Sequence, residues 1–492
     1  SEGQSRLFQA FWNLMEEVPD LRITKEDFAQ YDLNIINHLT EMNKNRGEQV
    51  SLKYFQYFSL VFVEAYLDNF FSSRERLVKM LNEQLAEYSS NFSLVFKDYE
   101  IKDLNKLAIW NATGSGKTLL MHINVMQMKY YLRKYNIRFD GAYMLLTPSE
   151  ALSNQHLEEF QESGIIAERF EKTASRLFSR PDDIQVIENS KLAEKDGEKT
   201  VSIHRFGDTN ILFVDEGHRG SSGESWYQYR SQLCENGFSF EYSATFSQAV
   251  RKKKALEEEY AKCILFDYSY KYFYEDGYGK DYQILNLPIV TEDNIRLKYL
   301  TASLLSYYQQ KRLFLDKGEI FSDYNLENPL MVFVGSKVTA SASMNDKSDV
   351  VEIVNFFSEF ISKTPYIIAI IEQLINGVTE LVDSEGRDVF AGKFNYLQLI
   401  NLSGEEIYDD VLRQVFHTKY RNQIFHADNL KGIDGEIRLR VGENDAFGVI
   451  NVGSDTDLLK LIEIEGVQTN TVDFSESLFK TINDKDSSIN VL

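Results

Sequence analysis

Over the first 95 residues the apolar positions recur at helical spacing. Leu52, Phe55, Phe58, Leu60, Val61 and Phe62 crowd one stretch, and Leu77, Val78, Leu81 and Leu85 fall three and four apart. That period predicts a helical N-terminal region, residues 1–95. From about residue 100 the rhythm changes. Short runs rich in branched and aromatic residues alternate with amphipathic stretches, the pattern of a parallel sheet covered on both faces. The runs span 107–110, 142–146, 211–214, 238–242 and 263–266, followed by 284–290 and 330–334, with a helix over 119–132. A helix-rich insertion occupies about 350–430. After it, the runs 436–441 and 447–452 flank Gly442-Glu443-Asn444-Asp445-Ala446 and predict a β-hairpin. Ile489-Asn490-Val491-Leu492 reads as the start of one more buried strand, so the chain is expected to continue beyond it. The expected fold class is α/β.

Composition narrows the picture. A chain of 492 residues allows about three domains at roughly 150 residues each. Hydrophobic residues at 43% and charged residues at 26% are the proportions of an ordinary globular protein. The net charge of −22 excludes a basic shell wrapped in nucleic acid, but not a local basic groove, because steering depends on local potential. Two cysteines cannot build a disulfide framework, which fits a reducing compartment. No apolar run reaches the roughly 18–20 residues of a membrane span, and the first residues show no secretion signal. The expectation is a cytoplasmic protein with no membrane partner.

Three short segments carry chemistry. The run 107–110 leads into Asn111-Ala112-Thr113-Gly114-Ser115-Gly116-Lys117-Thr118 and then a helix. Glycines there let backbone N–H groups curl around the β- and γ-phosphates of a nucleotide. Lys117 adds a fixed positive charge, the Thr118 hydroxyl can coordinate Mg²⁺, and the helix start adds its dipole. The strict pattern asks for Gly at position 111, where this chain has Asn. The run 211–214 ends in Asp215-Glu216-Gly217-His218. Two adjacent acids at a strand end suit a Walker B site, with Asp215 holding Mg²⁺ through water and Glu216 acting as general base. Their mutual repulsion calls for a cation. The run 238–242 ends in Ser243-Ala244-Thr245, small hydroxylated residues able to bond the acid pair and pass its state to neighbouring loops.

In this order and spacing the motifs resemble superfamily 2 helicases and translocases of the DEAD/DEAH type. Motif I is 112–118, motif II is 215–218 and motif III is 243–245. Thr147-Pro148-Ser149-Glu150-Ala151-Leu152-Ser153-Asn154-Gln155 is similar to motif Ia, whose members touch the phosphates of a tracked strand. Within the superfamily the chain resembles the restriction (Res) subunit of type III restriction enzymes and related phage-defence helicases. The resemblance implies two RecA-like lobes with ATP and Mg²⁺ between them, 96–275 and 276–492, the second incomplete and carrying an insertion at about 350–480. It also implies double-stranded DNA as partner and a methyltransferase or specificity subunit. His218 would then bridge motif II to other loops, and 489–492 would approach motif V.

The chain also departs from that pattern. Gly217 stands where the name-giving boxes have Ala, and no Q-x-x-R-x-x-R segment is present. An arginine finger contributes about 10³–10⁵ in rate in phosphoryl-transfer systems. A nucleotide-gated assembly protein with little turnover is therefore the alternative to a motor, and an RNA-remodelling helicase is a variant of the first reading. No nuclease signature stands out. Glu100-Ile101-Lys102 lacks an aspartate in strand context, and His417 with His426 lacks cysteine support for zinc. Four weaker signals stay open. Gln56 is either an adenine reader or a solvent-facing helix residue. Residues 251–254 (Arg-Lys-Lys-Lys) are either a nucleic-acid contact or a solvated helix start. Gly335-Ser336-Lys337 would form motif IV, with backbone or Ser336 on DNA phosphate.

Overall fold

A computed structural model describes residues 5–492, apart from 19–22, 93–95, 171–181, 198–199, 217–223, 248–253, 286, 288–292, 322–325, 336–347, 434, 453–455, 474–476, 483 and 485–486. The chain divides into two units, Ser1–Tyr282 and Gln283–Leu492.

The first unit begins with the expected helices, α1 (Arg6–Met15), α2 (Lys25–Asn43), α3 (Tyr54–Ser72) and α4 (Arg74–Phe92). Ser5 and Thr24 start α1 and α2 by accepting the N–H groups of Phe8 and Asp27, which satisfies donors that a helix start leaves open. Among the described residues nine strands follow: β1 (Lys106–Asn111), β2 (Tyr143–Thr147), β3 (Ala167–Arg169), β4 (Ile184–Glu188), β5 (Leu192–Ala193), β6 (Val201–Ser202), β7 (Ile211–Asp215), β8 (Phe238–Ser243) and β9 (Ile264–Tyr268). Seven of them form one sheet in the order β3-β4-β2-β7-β8-β1-β9. Every pairing in it is parallel. Helix α5 (Lys117–Lys134) links β1 to β2, and α6 (Glu150–Glu162) links β2 to β3.

The hydrophobic runs are continuous because both faces of this sheet are covered. Tyr143, Leu145, Ile211 and Phe213 face one core together with Leu120 and Ile123 of α5 and Leu60, Val63 and Leu67 of α3. Their neighbours Ala142, Met144, Leu146, Leu212 and Val214 face a second core with Ile203, Phe206 and Leu233. The N-terminal helices thus share a core with the sheet. Helices α7 (Glu224–Leu233), α8 (Lys254–Cys263) and α9 (Tyr270–Glu275) complete the unit.

The second unit holds α10 (Asp293–Phe321), which the sequence pattern did not announce, and then α11 (Asp349–Ser362), α12 (Thr364–Ile375), α13 (Asn395–Leu399) and α14 (Gly404–Gln414), which make up the expected helix-rich stretch. Strands β10 (Phe425–Lys431), β11 (Glu436–Val441) and β12 (Gly448–Asn451) follow, then α15 (Thr456–Ile464) and β13 (Gln468–Asp473). The sheet order is β12-β11-β10-β13. β11 and β12 form the anticipated hairpin, in the register Glu436↔Asn451 to Leu439↔Gly448. The sheet is mixed: β10 pairs antiparallel with β11 and parallel with β13. The expected strand at 330–334 does pair. Met331 N–H reaches Asn490 O (2.9 Å), Leu492 N–H reaches Met331 O (2.9 Å) and Phe333 N–H reaches Leu492 O (2.7 Å), a parallel ladder onto 490–492. Of the expected strand at 284–290, residues 286 and 288–290 lie outside the described residues. Ile284, Leu285 and Leu287, its described members, have no strand pairing. Leu285 and Leu287 instead pack on the core of the unit.

Candidate active site

The phosphate loop grows directly out of β1. Ala112 N–H bonds Tyr268 O on β9 (2.9 Å) and anchors the loop's first residue to the sheet. Ser115 folds back, with N–H and hydroxyl both on Ala112 O (3.2 and 2.7 Å). Gly114 and Gly116 sit at φ +82° and +85°, a region that side chains with a Cβ avoid. Gly116 also leaves the start of α5 without a side-chain cap, so its first N–H groups are free to meet an anion.

Gln56 is buried, not solvent-facing. Its Oε1 accepts Lys53 N–H and its Nε2 donates to Ser115 O, both at 2.8 Å. The side chain therefore grips the back of the loop, and a Cβ on Gly116 would lie 2.4 Å from that Nε2. With both ends of its amide engaged, Gln56 supports the loop in the arrangement described.

Motif II stands two strands away. β7 pairs with β8 and β8 with β1, so the carboxyl ends of the three strands lie side by side, with Asp215 opposite Tyr242 and Ser243 opposite Trp110. Lys117 Nζ lies 3.5 Å from Glu216 Oε1. Glu216 takes φ +53°, uncommon for a residue with a side chain and typical of functional turns. Asp215 is held twice: Oδ1 accepts Glu216 N–H and Oδ2 accepts His156 Nε2, both at 2.9 Å. Burial pushes the Asp215 carboxyl up, but the His156 bond, with Lys117 and the Glu216 N–H, more than offsets it and keeps the group below the usual carboxylate range. One carboxylate and the Thr118 hydroxyl are hard oxygen donors that leave positions for phosphate oxygens and water, the kind of set Mg²⁺ accepts.

The third motif closes the gap. Thr245 N–H bonds Ser243 Oγ (3.0 Å), and Trp110 Nε1 donates to Ala244 O (2.9 Å), tying this turn to the strand that carries the phosphate loop. One residue earlier, Tyr242 OH donates to Asn124 on α5 (2.7 Å). Motif Ia lies on α6 and its approach. Ser149 caps the helix, and Ser149 and Gln155 are exposed while Pro148 is half-buried. Thr147 is corrected as a side-chain contact to nucleic acid: it is fully buried and its hydroxyl bonds Ser153 (2.7 Å). Gly335 is exposed in the second unit. His218, Ser336 and residues 251–253 lie outside the described residues, while Lys254 opens α8 in an exposed position.

Sequence reasoning missed His156. Its one sequence signal is its position immediately after Gln155; its bond to Asp215 spans 59 residues.

Residues 69–248 match the family model described as the res subunit of type III restriction enzymes. No curated protein matches the chain. Among solved structures, the chain is similar to the UvsW helicase of bacteriophage T4, at 15% identity over 38% of this chain and 77% of that one, with a TM-score of 0.24. It is similar to the Hef helicase domain of Pyrococcus furiosus, at 16% identity over 73% and 77%, with a TM-score of 0.29. The SWI2/SNF2 ATPase core of Sulfolobus solfataricus, in complex with dsDNA, is 13% identical over 77% and 85%, with a TM-score of 0.27. The matched segment contains motifs I, Ia, II and III, and over that span the chain is similar to the res subunits of type III restriction enzymes.

Proposed function

We propose that this chain is an ATP-driven translocase or helicase acting on double-stranded DNA, the motor part of a type III-like restriction or phage-defence enzyme. The observation that carries this reading is the convergence of the phosphate loop, the acid pair and Ser243-Ala244-Thr245 on the carboxyl ends of three adjacent parallel strands. Ligands of open α/β sheets bind outside the carboxyl ends of the strands.

In this reading the N–H groups of residues 113–118 and the Lys117 ammonium hold the β- and γ-phosphates of ATP. Glu216 accepts the proton of the attacking water, and Asp215 and Thr118 hold Mg²⁺. When bound, Mg²⁺ neutralises charge on the phosphate oxygens. Ser243 and Thr245, fixed to β1 through Trp110 and Ala244, carry the change at the acid pair toward the surface that holds DNA. On the first unit, the exposed Ser149 and Gln155, with Pro148 beside them, offer that surface; the expected contacts at Gly335 and Ser336 belong to the same reading. A methyltransferase or specificity subunit belongs to the same reading as a partner.

DNA-stimulated ATP turnover tests the reading. Hydrolysis is expected to rise on adding duplex DNA and to vanish in Lys117→Ala with the fold intact. Duplex affinity should fall by about 10³ or more between 50 and 200 mM salt, as for proteins contacting several phosphates. Nucleotide binding with no turnover on any nucleic acid, and DNA affinity indifferent to salt, would replace the motor with a nucleotide-gated assembly protein.

A further inference from the structure

His156 occupies a position that neither packing nor the motif pattern accounts for. It lies on α6 and is 3% exposed, next to Asn154 and Gln155, which face solvent. Its Nε2 reaches Asp215 Oδ2 at 2.9 Å. An ionised carboxylate only accepts, so Nε2 carries the hydrogen of that bond. The other ring nitrogen, Nδ1, is buried and has no partner among the described residues. The same is true of Nε2 on the neighbouring His122, whose Nδ1 is bonded to Ser163 Oγ at 2.8 Å. Both imidazoles lie against Phe160, with ring centroids at 4.4 Å for His122 and 6.4 Å for His156. A buried polar atom without a partner costs about 1–3 kcal/mol. An apolar side chain would fill this space beside Phe160 without that cost, so the histidine is explained by the bond it makes.

That bond fixes the orientation of Asp215. The Glu216 N–H holds Oδ1 from within the same turn, and His156 holds Oδ2 from a different helix. Without the second bond the carboxylate keeps a single anchor on its own chain neighbour and is free to rotate. The Phe160 ring, fully buried on the same helix one turn further on, keeps the imidazole from turning away. Any shift of α6 is therefore delivered to Asp215. The outward face of that helix carries Ser149, Asn154 and Gln155.

We propose that His156 is a positioning residue. It holds Asp215 in its metal-binding orientation and, because it rides on α6, it is the joint through which nucleic acid on the outer face of that helix raises turnover. The inference rests on Asp215 serving as the Mg²⁺ acid of the site proposed above.

The test compares wild type, His156→Ala and His156→Gln, whose side-chain amide can donate from near the position of Nε2. The first readout is independent of turnover: the Mg²⁺ concentration that half-saturates binding of a fluorescent ATP analogue. The second is ATP hydrolysis with and without duplex DNA, resolved into kcat and KM. Removing an outer partner of a metal-binding carboxylate typically costs 10–100-fold in metal affinity or activity, so His156→Ala should raise the Mg²⁺ half-saturation by about that factor. It should also lower the DNA-stimulated kcat while leaving the KM for ATP within about twofold, and His156→Gln should restore much of both. Should His156→Ala fail to fold, His156→Phe keeps the volume and takes its place. Wild-type Mg²⁺ dependence and DNA stimulation in the Ala or Phe variant would overturn the inference while leaving the ATPase reading intact. So would a Gln variant as impaired as the Ala one. A wild-type protein without Mg²⁺-dependent nucleotide binding would overturn the site and the inference together.

Discussion

The contact between Gln56 and Gly116 sets up a double-mutant experiment whose outcome follows from the geometry. Gly116→Ala puts a methyl group 2.4 Å from Gln56 Nε2 at a φ of +85°. Left-handed backbone in a residue with a Cβ costs about 1–2 kcal/mol. The methyl also pushes away the Gln56 amide, which makes two bonds of 2.8 Å, to Lys53 N–H and Ser115 O. Each such bond contributes about 0.5–1.5 kcal/mol net, and a buried carbonyl left alone costs about 1–3 kcal/mol. Ser115 is only 2% exposed, so Gly116→Ala should destabilise by about 3–6 kcal/mol in total. Gln56→Ala removes the same two bonds and should cost about 2–4 kcal/mol by itself. Once Gln56 is gone, the added methyl meets no amide and only the backbone strain remains. The double mutant should therefore be more stable than the sum of the two single changes, with a coupling of about 2 kcal/mol, inside the range found for residues in contact. Urea unfolding of the four proteins, followed by circular dichroism, measures it. Additivity within about 0.5 kcal/mol would refute the claim that Gln56 clamps the phosphate loop.

Glu216→Gln removes the carboxylate 3.5 Å from Lys117 and should leave ATP binding intact while turnover falls to background; a rate within tenfold of wild type would exclude Glu216 as the base. Lys117→Ala should lose ATP turnover without a change in the melting temperature of more than a few degrees, and a wild-type rate would refute the assignment of the loop. Burial raises the Glu64 carboxyl from 4.5 to about 7, only partly offset by bonds from Asn34, Tyr131 and Gln127. The folded chain thus holds a proton that the unfolded chain releases, and the associated stability is complete below pH 4.5 and lost as pH rises to 7. Denaturant unfolding across that window should show Glu64→Gln gaining on wild type by about 3 kcal/mol, at 1.36 kcal/mol per unit, and a pH-independent difference would show that Glu64 does not titrate there.

What the sequence made legible was local. The phosphate loop, the acid pair and the strands that carry them each announce themselves within a dozen residues, and β1, β2, β7, β8 and β9 fall within two residues of the expected runs. The hairpin of β11 and β12 was readable for the same reason. β4 was not, because Ile184-Gln185-Val186-Ile187-Glu188 is short and mixes polar with apolar residues although all five are buried in the sheet. Of the two side chains that most refine the site, Gln56 stood out by its place upstream of the phosphate loop but its contact with that loop did not, and His156 was out of reach of pattern reading. Each meets its partner 59 residues along the chain, and nothing in the neighbouring residues records that meeting. Thr147 shows the converse: its place in motif Ia drew it as a phosphate contact, whereas its hydroxyl faces inward to Ser153.

ATP hydrolysis by the 492-residue chain, measured with and without duplex DNA, tests the central claim most directly. The account predicts turnover that rises with DNA and disappears in Lys117→Ala. Turnover that no duplex or single strand stimulates would contradict it.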